Sequence, residues 1–305
     1  MVVNLDGPER LEISDERSTP SLESHPSWGS VCFEQIGEVK VVRGLDIKKY
    51  HSEEEVSSSQ ERTYWRSPEL YHGRHVTKTI PPFSSSSTEL GQDCHDWWET
   101  LDDSLSWLVR APRETLTPTG QIGKKAKEWA EREGIEGRLV SDSHFEKVRR
   151  IVDALKASTP AMELREQSLH EETSYFYKVN GLGCRCRSDN WLDGGMFADL
   201  KTTSCGNIDR EFVKSVHDFG YGRQQAFYEI CQEKLFGWAP GMAFIVVQTS
   251  EPYQVRVKYL PNDYVSACKS SVRRVLDEIH QRTALDHWHF DECQVLDVPK
   301  WMFPE

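Results

Sequence analysis

Residues 172–201 read ETSYFYKVNGLGCRCRSDNWLDGGMFADLK, and the two turns inside this stretch decide the fold. Asn180-Gly181 is a strong two-residue hairpin signal. With those residues as the loop, the flanking strands pair so that Glu172 faces Asp189. A three-residue loop at Asp193-Gly194-Gly195 closes a second hairpin and sets Asp189 opposite Asp199. Directly opposed residues point to the same side of a sheet, so three carboxylates form a row across adjacent strands. Lys201 lies two residues beyond Asp199, and period-two alternation keeps it on that side, roughly 7 Å along the strand. The other face, with Thr173, Tyr175, Tyr177, Val179, Cys184, Cys186, Ala198 and Leu200, reads as core. A slip by one residue in either hairpin would turn an acid to the wrong side.

Outward from the meander, the pattern is helical on both flanks. Upstream, CFEQIGEVKVV reads as a first strand and SSSQERTYWRSPELY as a Ser-capped helix ending near Ser67-Pro68. Residues 88–107 read as helix, and TPTGQIGKKAKEWAEREG as a capped basic helix closed by Gly134. Phe145, Val148, Ile151, Val152 and Leu155 recur at helical spacing over 141–158, with Pro160 as the stop. Downstream come a helix at about 208–233, an apolar strand at 242–249, another strand at 253–260 and a helix from 261 to about 284. This order predicts an α/β fold, a mixed central sheet with an antiparallel three-strand meander flanked by helices. No Gly-rich phosphate loop follows a strand, which disfavours a doubly wound nucleotide fold.

A row of acids about 5 Å apart repels itself and destabilises a sheet unless something compensates. A hard divalent cation does so, and Mg2+ suits a few carboxylates plus water and substrate phosphate. Such an ion polarises a phosphodiester and activates water. Lys201, an ammonium at neutral pH, is assigned to orienting the attacking water and stabilising the extra charge on phosphorus. Against this, a lone D-x-K is ordinarily an exposed turn and an edge lysine; the row, with the lysine in step, is what raises it. In FGYGRQQAFYEI, Gln224 and Tyr228 share a helix face and are placed either to hold a water or phosphate, or to line a cleft edge.

Length and composition bound the alternatives. The chain has 305 residues, 37 % of them hydrophobic, enough for one large domain or a domain plus an arm. Residues 1–45 read as an N-terminal arm, polar and Ser/Pro/Glu-rich over 1–30. Residues 46–305 read as one domain: a helical part (46–160), a catalytic core (161–260) and a C-terminal helix and tail (261–305). The eight cysteines contain no C-x2-C pair, so no zinc ribbon, disulfide framework or iron–sulfur cluster is expected. No segment approaches the roughly 18 apolar residues of a spanning helix, and the N-terminus lacks a signal-peptide pattern; a cytoplasmic protein with no membrane contact is expected. The net charge of −12 argues against nonspecific coating of nucleic acid but leaves room for a local basic strip. Candidates for that strip are Lys124, Lys125, Lys127, Arg149, Arg150, Arg185 and Arg187.

With these residues in view, CRCRSDNWLDGGMFADLKTTSCGNIDREFVKSVHDFGYGRQQAFY resembles the core of the exodeoxyribonuclease VIII family, a bacterial and prophage branch of the PD-(D/E)XK nucleases. VSSSQERTYWRSPELY, ELGQDCHDWWE, FIVVQTSEPYQVRVKYL and VPKWMFPE extend the similarity, in the family's order, over about residues 46–305. The resemblance implies a restriction-endonuclease-like core. It matches Asp189, Asp199 and Lys201 to the catalytic D…D-x-K and Glu172 to the acid opening the first strand. Gln224 and Tyr228 match the Q-x-x-x-Y helix, and His95 the histidine near the metals; by itself His95 reads as a helix-face residue. Arg223, in the same helix, joins the DNA-binding candidates. The resemblance further implies Mg2+, with Mn2+ able to substitute, and 5′ to 3′ digestion of linear double-stranded DNA ends leaving 3′ single strands for recombination. A ring-like homo-oligomer and a single-strand annealing protein as partner are implied in the same way. One departure is SDNW, where the family usually has a proline before the acid. Two other readings stay open: a noncatalytic DNA-end or recombination-partner module on a nuclease fold, and a related nuclease of different polarity or substrate.

Overall fold

The computed structural model describes residues 32–81 and 86–288. Of the arm expected over 1–45, residues 1–31 lie outside them, as does the closing VPKWMFPE segment. A hairpin of β1 (Cys32–Ile36) and β2 (Val39–Arg43) leads into α1 (Ile47–Ser52), β3 (Val56–Ser57), α2 (Ser58–Arg66) and α3 (Pro68–Tyr71). Next come α4 (Ser86–Thr100), β4 (Leu108–Arg110), α5 (Lys124–Glu133), β5 (Arg138–Val140), α6 (Asp142–Lys156) and α7 (Thr159–Glu166). The meander is β6 (Ser168–Val179), β7 (Leu182–Leu192) and β8 (Phe197–Thr203). After it follow α8 (Ile208–Asp218), α9 (Tyr221–Phe236), β9 (Met242–Gln248), β10 (Val255–Lys258) and α10 (Asn262–Leu285).

The main sheet runs β1-β2-β6-β7-β8-β9-β10, with β3 added alongside β7. Its pairs are antiparallel except β8 with β9 and β3 with β7. β9 shows why both faces are covered. Every residue of MAFIVVQ is buried. Met242, Phe244 and Val246 enter one core, which α2, α8, α9 and α10 cover. Ala243, Ile245 and Val247 enter the other, beneath α4 and α6. Removing each large side chain from water stabilises the fold by about 1.5–3 kcal/mol.

Both expected registers occur. Tyr177 pairs with Cys184, and Thr173 with Ser188; in the second hairpin Asn190 pairs with Ala198 and Trp191 with Phe197. The single core face expected for the meander does not. Tyr175, Tyr177, Cys184 and Cys186 pack in the α9-side core, whereas Ala198 and Leu200 pack in the α4-side core. Alternation along β7 reverses between Cys186 and Asn190, whose side-chain oxygen accepts from Trp98 Nε1 on α4 at 2.6 Å. Opposite this reversal, Glu172 takes φ +45°, a left-handed conformation uncommon outside glycine.

The reversal coincides with a fork in the sheet. On one edge of β7, β3 pairs at Cys184 and Arg185, and β8 pairs only at Asn190 and Trp191. Between them, residues 186–189 take no strand partner on that edge among the described residues. The sheet thus opens where Asp189 stands.

Elsewhere the helices differ from the expected spans for local reasons. The CFEQIGEVKVV strand is a hairpin, turned at Gly37 with φ +56°. α4 stops at Thr100 because Leu101 adopts φ +50° and the Asp102 carboxylate accepts from the Ser104 and Ser106 backbones. Pro160 sits in the first turn of α7, where its missing N–H costs nothing. The helix expected over 208–233 is two helices, broken at Gly220 with φ +67°. α2 carries the expected cap, a reciprocal Ser57/Gln60 capping box.

Candidate active site

The site is built at the fork by three elements. From α4, His95 reaches Asp189 of β7, with Nδ1 3.1 Å from Oδ2. The same carboxylate oxygen accepts the Leu200 backbone N–H of β8 at 2.8 Å, so Asp189 bridges the two splayed strands. Glu172 of β6 lies across from it, between the pairs Thr173–Ser188 and Glu171–Asn190. Arg187 Nε holds the Glu172 carboxylate at 2.5 Å while its Nη1 donates to the Leu45 carbonyl at 2.7 Å. α4 is held in place by Arg165, which donates to the Trp98 and Glu99 carbonyls at its C-terminal end.

Asp199 and Lys201 occupy the α9 side of β8. Lys201 Nζ pairs with Asp199 Oδ2, and Gln224 Nε2 donates to Asp199 Oδ1 at 2.7 Å. The Lys201 ammonium lies 5.2 Å from the Tyr221 ring centroid, within cation–π range. Tyr228 donates its hydroxyl to the Arg187 carbonyl at 2.6 Å. It therefore ties α9 to the fork rather than facing an open cleft. Gln224 does line the groove beside Lys201.

The charges at the fork lie close enough to shift one another. Burial would lower the His95 pKa, but the Asp189 carboxylate outweighs it and raises it to about 9. Burial and the nearby Asp189 charge raise Glu172 to about 7, against the pull of Arg187. Burial would likewise take the proton from Lys201, yet the facing Asp199 carboxylate pushes its pKa up, so it remains an ammonium.

His95, Glu172 and Asp189 each offer a ligand atom, and these atoms lie within 4.8 Å of one another. One imidazole nitrogen and two carboxylate oxygens at that spacing fit a divalent cation after small side-chain rotations. Asp199 stands beside them as a further oxygen donor, turned for now to Lys201. A hard oxygen-rich donor set suits Mg2+ or Mn2+.

The basic residues sort differently from the sequence expectation. Arg185 is 2 % exposed and donates to the Glu53 and Glu55 carbonyls, while Arg223 is 5 % exposed and paired with Glu61 inside the α2–α9 contact. Neither guanidinium is available to a DNA backbone, and Arg187 is engaged with Glu172. Lys124 and Lys125 are exposed on α5, with Lys124 3.5 Å from Glu128. Sequence reasoning passed over Arg62, Arg66 and Arg74, which line a groove of about 380 Å³ together with Lys201 and Gln224. Arg62 and Arg66 sit four apart on one face of α2, a signal present in SSSQERTYWR.

A family model described as a PDDEXK-like domain of unknown function (DUF3799) matches residues 57–298. In fold, the chain is similar to the crystal structure of a candidate exonuclease from Eubacterium rectale. The TM-score is 0.59 at 16 % identity, over 84 % of this chain and 95 % of that one. A second structure, protein VC1899 from Vibrio cholerae, aligns with a TM-score of only 0.21 at 8 % identity, over 80 % of this chain and 58 % of that one. No curated protein matches the sequence.

Proposed function

Since the chain belongs to the DUF3799 family of PDDEXK-like domains, we propose that it is a divalent-metal-dependent deoxyribonuclease. It hydrolyses phosphodiester bonds at the ends of linear duplex DNA in the manner of the exodeoxyribonuclease VIII family. The observation that carries the reading is the fork, where His95, Glu172 and Asp189 converge within 4.8 Å and the Lys201–Asp199 pair adjoins them. The likeness to a candidate exonuclease supports it at the level of fold.

In this reading Glu172, Asp189, Asp199 and His95 hold Mg2+, for which Mn2+ substitutes; the bound ion supplies Lewis acidity toward the phosphodiester. The chain's own groups do the rest. Arg187 and the Leu200 N–H fix the Glu172 and Asp189 carboxylates, so little reorganisation is needed on binding. Lys201 Nζ donates to the attacking water and to the phosphate oxygen on which charge accumulates. Gln224 holds Asp199 through Oδ1, the oxygen that Lys201 does not use. The 5′ to 3′ direction, the 3′ single-stranded product used in recombination, the ring-like oligomer and the annealing partner belong to the same proposal.

Duplexes labelled at one end, either 5′ or 3′, test activity, substrate and direction together. Shortening from the 5′ end with Mg2+, and none in EDTA or with Lys201→Ala, is expected. Cleavage undiminished in EDTA would overturn the reading. No divalent-ion binding by calorimetry at millimolar metal would favour a noncatalytic end-binding module instead.

A further inference from the structure

A second groove opens on the far side of Phe219 from the arginine groove beside Lys201. Of about 1190 Å³, it begins at Thr202, next to Lys201 on β8, and runs between α4 and α6 on one wall and α8 on the other. Lys147, Arg210 and Lys214 line it, and none of the three takes a carboxylate partner among the described residues. The chain carries a net charge of −12, and most of its described arginines and lysines are paired with acids or carbonyls. The two carboxylates that reach the groove have other hydrogen bonds: Glu211 accepts the Gly206 N–H at 3.0 Å, and Asp218 lies 3.2 Å from His217.

Phe219 stands where the two grooves meet and lines both. It caps α8, lies 5.8 Å from the Tyr221 ring, and is 55 % exposed. Its ring thus packs against Tyr221 and leaves the rest of its surface in water where the two grooves meet. Within a duplex each base is already stacked on its neighbours, so such a ring meets a base face only where the strand is unpaired.

We propose that this second groove binds single-stranded DNA: Lys147, Arg210 and Lys214 follow its phosphates while Phe219 stacks an unpaired base as the strand passes the fork. The inference rests on the nuclease reading for its biological sense. Its test does not, because binding is measured in EDTA without cleavage.

Anisotropy titration of a labelled single strand against salt is the measurement, with the Lys147→Ala/Arg210→Ala/Lys214→Ala protein beside wild type. Each phosphate contact contributes about 0.7 to the salt slope for a single strand, so the triple variant should lower that slope by about 2. Phe219→Ala should weaken single-strand binding by about tenfold or more, and Phe219→Trp should restore it. A 2-aminopurine strand should be quenched by wild type and by Phe219→Trp but not by Phe219→Ala. All four positions are exposed or half-buried, and equal thermal melts verify folding. An unchanged slope in the triple variant, or a loss confined to blunt duplex, would overturn the proposal. Intact single-strand binding with no cleavage in Mg2+ would instead count against the nuclease reading alone.

Discussion

In the metal-free protein, replacing Asp189 with Asn should remove a specific part of the pH dependence of stability. His95 is held at about 9 against an ordinary 6.5. At about 1.4 kcal/mol per unit, that net shift, in which Asp189 outweighs burial, corresponds to about 3 kcal/mol. For a base whose folded pKa is raised, that stability is fully present below pH 6.5 and is lost as pH rises through about 9. Glu172, an acid raised from 4.5 to about 7, destabilises the fold as pH rises between those values, so its effect is complete at the lower edge of the window. Burial also pushes the Cys94 and Cys184 thiols up, and their titration in the unfolded chain falls in the same window. It is common to both proteins and cancels in their difference. Asn retains an acceptor for the Leu200 N–H but no charge, so burial and the Lys201 ammonium, which both lower the His95 pKa, are then opposed only by Asp199, and His95 loses its proton at lower pH. Urea unfolding in EDTA at about pH 7.5 and 9.5 should show wild type losing about 2 kcal/mol more than Asp189→Asn. Equal losses would refute the argument that Asp189 is what charges His95.

Other consequences are as direct. Mn2+ at about 100 times its dissociation constant should stabilise wild type by about 2.7 kcal/mol, a rise of about 4–5 °C in Tm, and Glu172→Gln should abolish most of that rise in calorimetric scans. Lys201→Ala should reduce cleavage about 100- to 1000-fold in single-turnover assays while DNA binding persists. Trp98→Phe leaves the buried Asn190 side-chain oxygen without its donor and should cost about 1–3 kcal/mol in urea unfolding. Gly37→Ala would place a Cβ 2.3 Å from the Lys234 carbonyl oxygen at a φ of +56°, so a loss of about 2 kcal/mol or more is expected by the same measurement.

Much of the site is legible in particular residues of the sequence. Asn180-Gly181 and Asp193-Gly194-Gly195 are local turn chemistry, and turn chemistry sets register; both hairpins pair as those residues require. The apolar run of β9 and the spacing in α6 likewise announce buried elements. Strict alternation then predicted one core face for the meander, and there the reading failed. The positive φ of Glu172 and the early splaying of β8 from β7 leave no mark on a period-two pattern.

What the sequence determined by itself was therefore everything carried by neighbours a few residues apart: hairpin registers, helix caps and the D-x-K spacing of Asp199 and Lys201. Tertiary structure alone decided which charges are free to act. Arg185 and Arg223 look like DNA contacts on paper, but folding buries them against carbonyls and Glu61, whereas Arg62 and Arg66, which donate to the Phe219 and Asp218 carbonyls, and Arg74, in the turn after α3, line the groove beside Lys201. His95 joins Asp189 only because α4 packs across the fork. The physical reason is that a side chain's partners depend on which elements meet over it, and those contacts span separations that no local periodicity records.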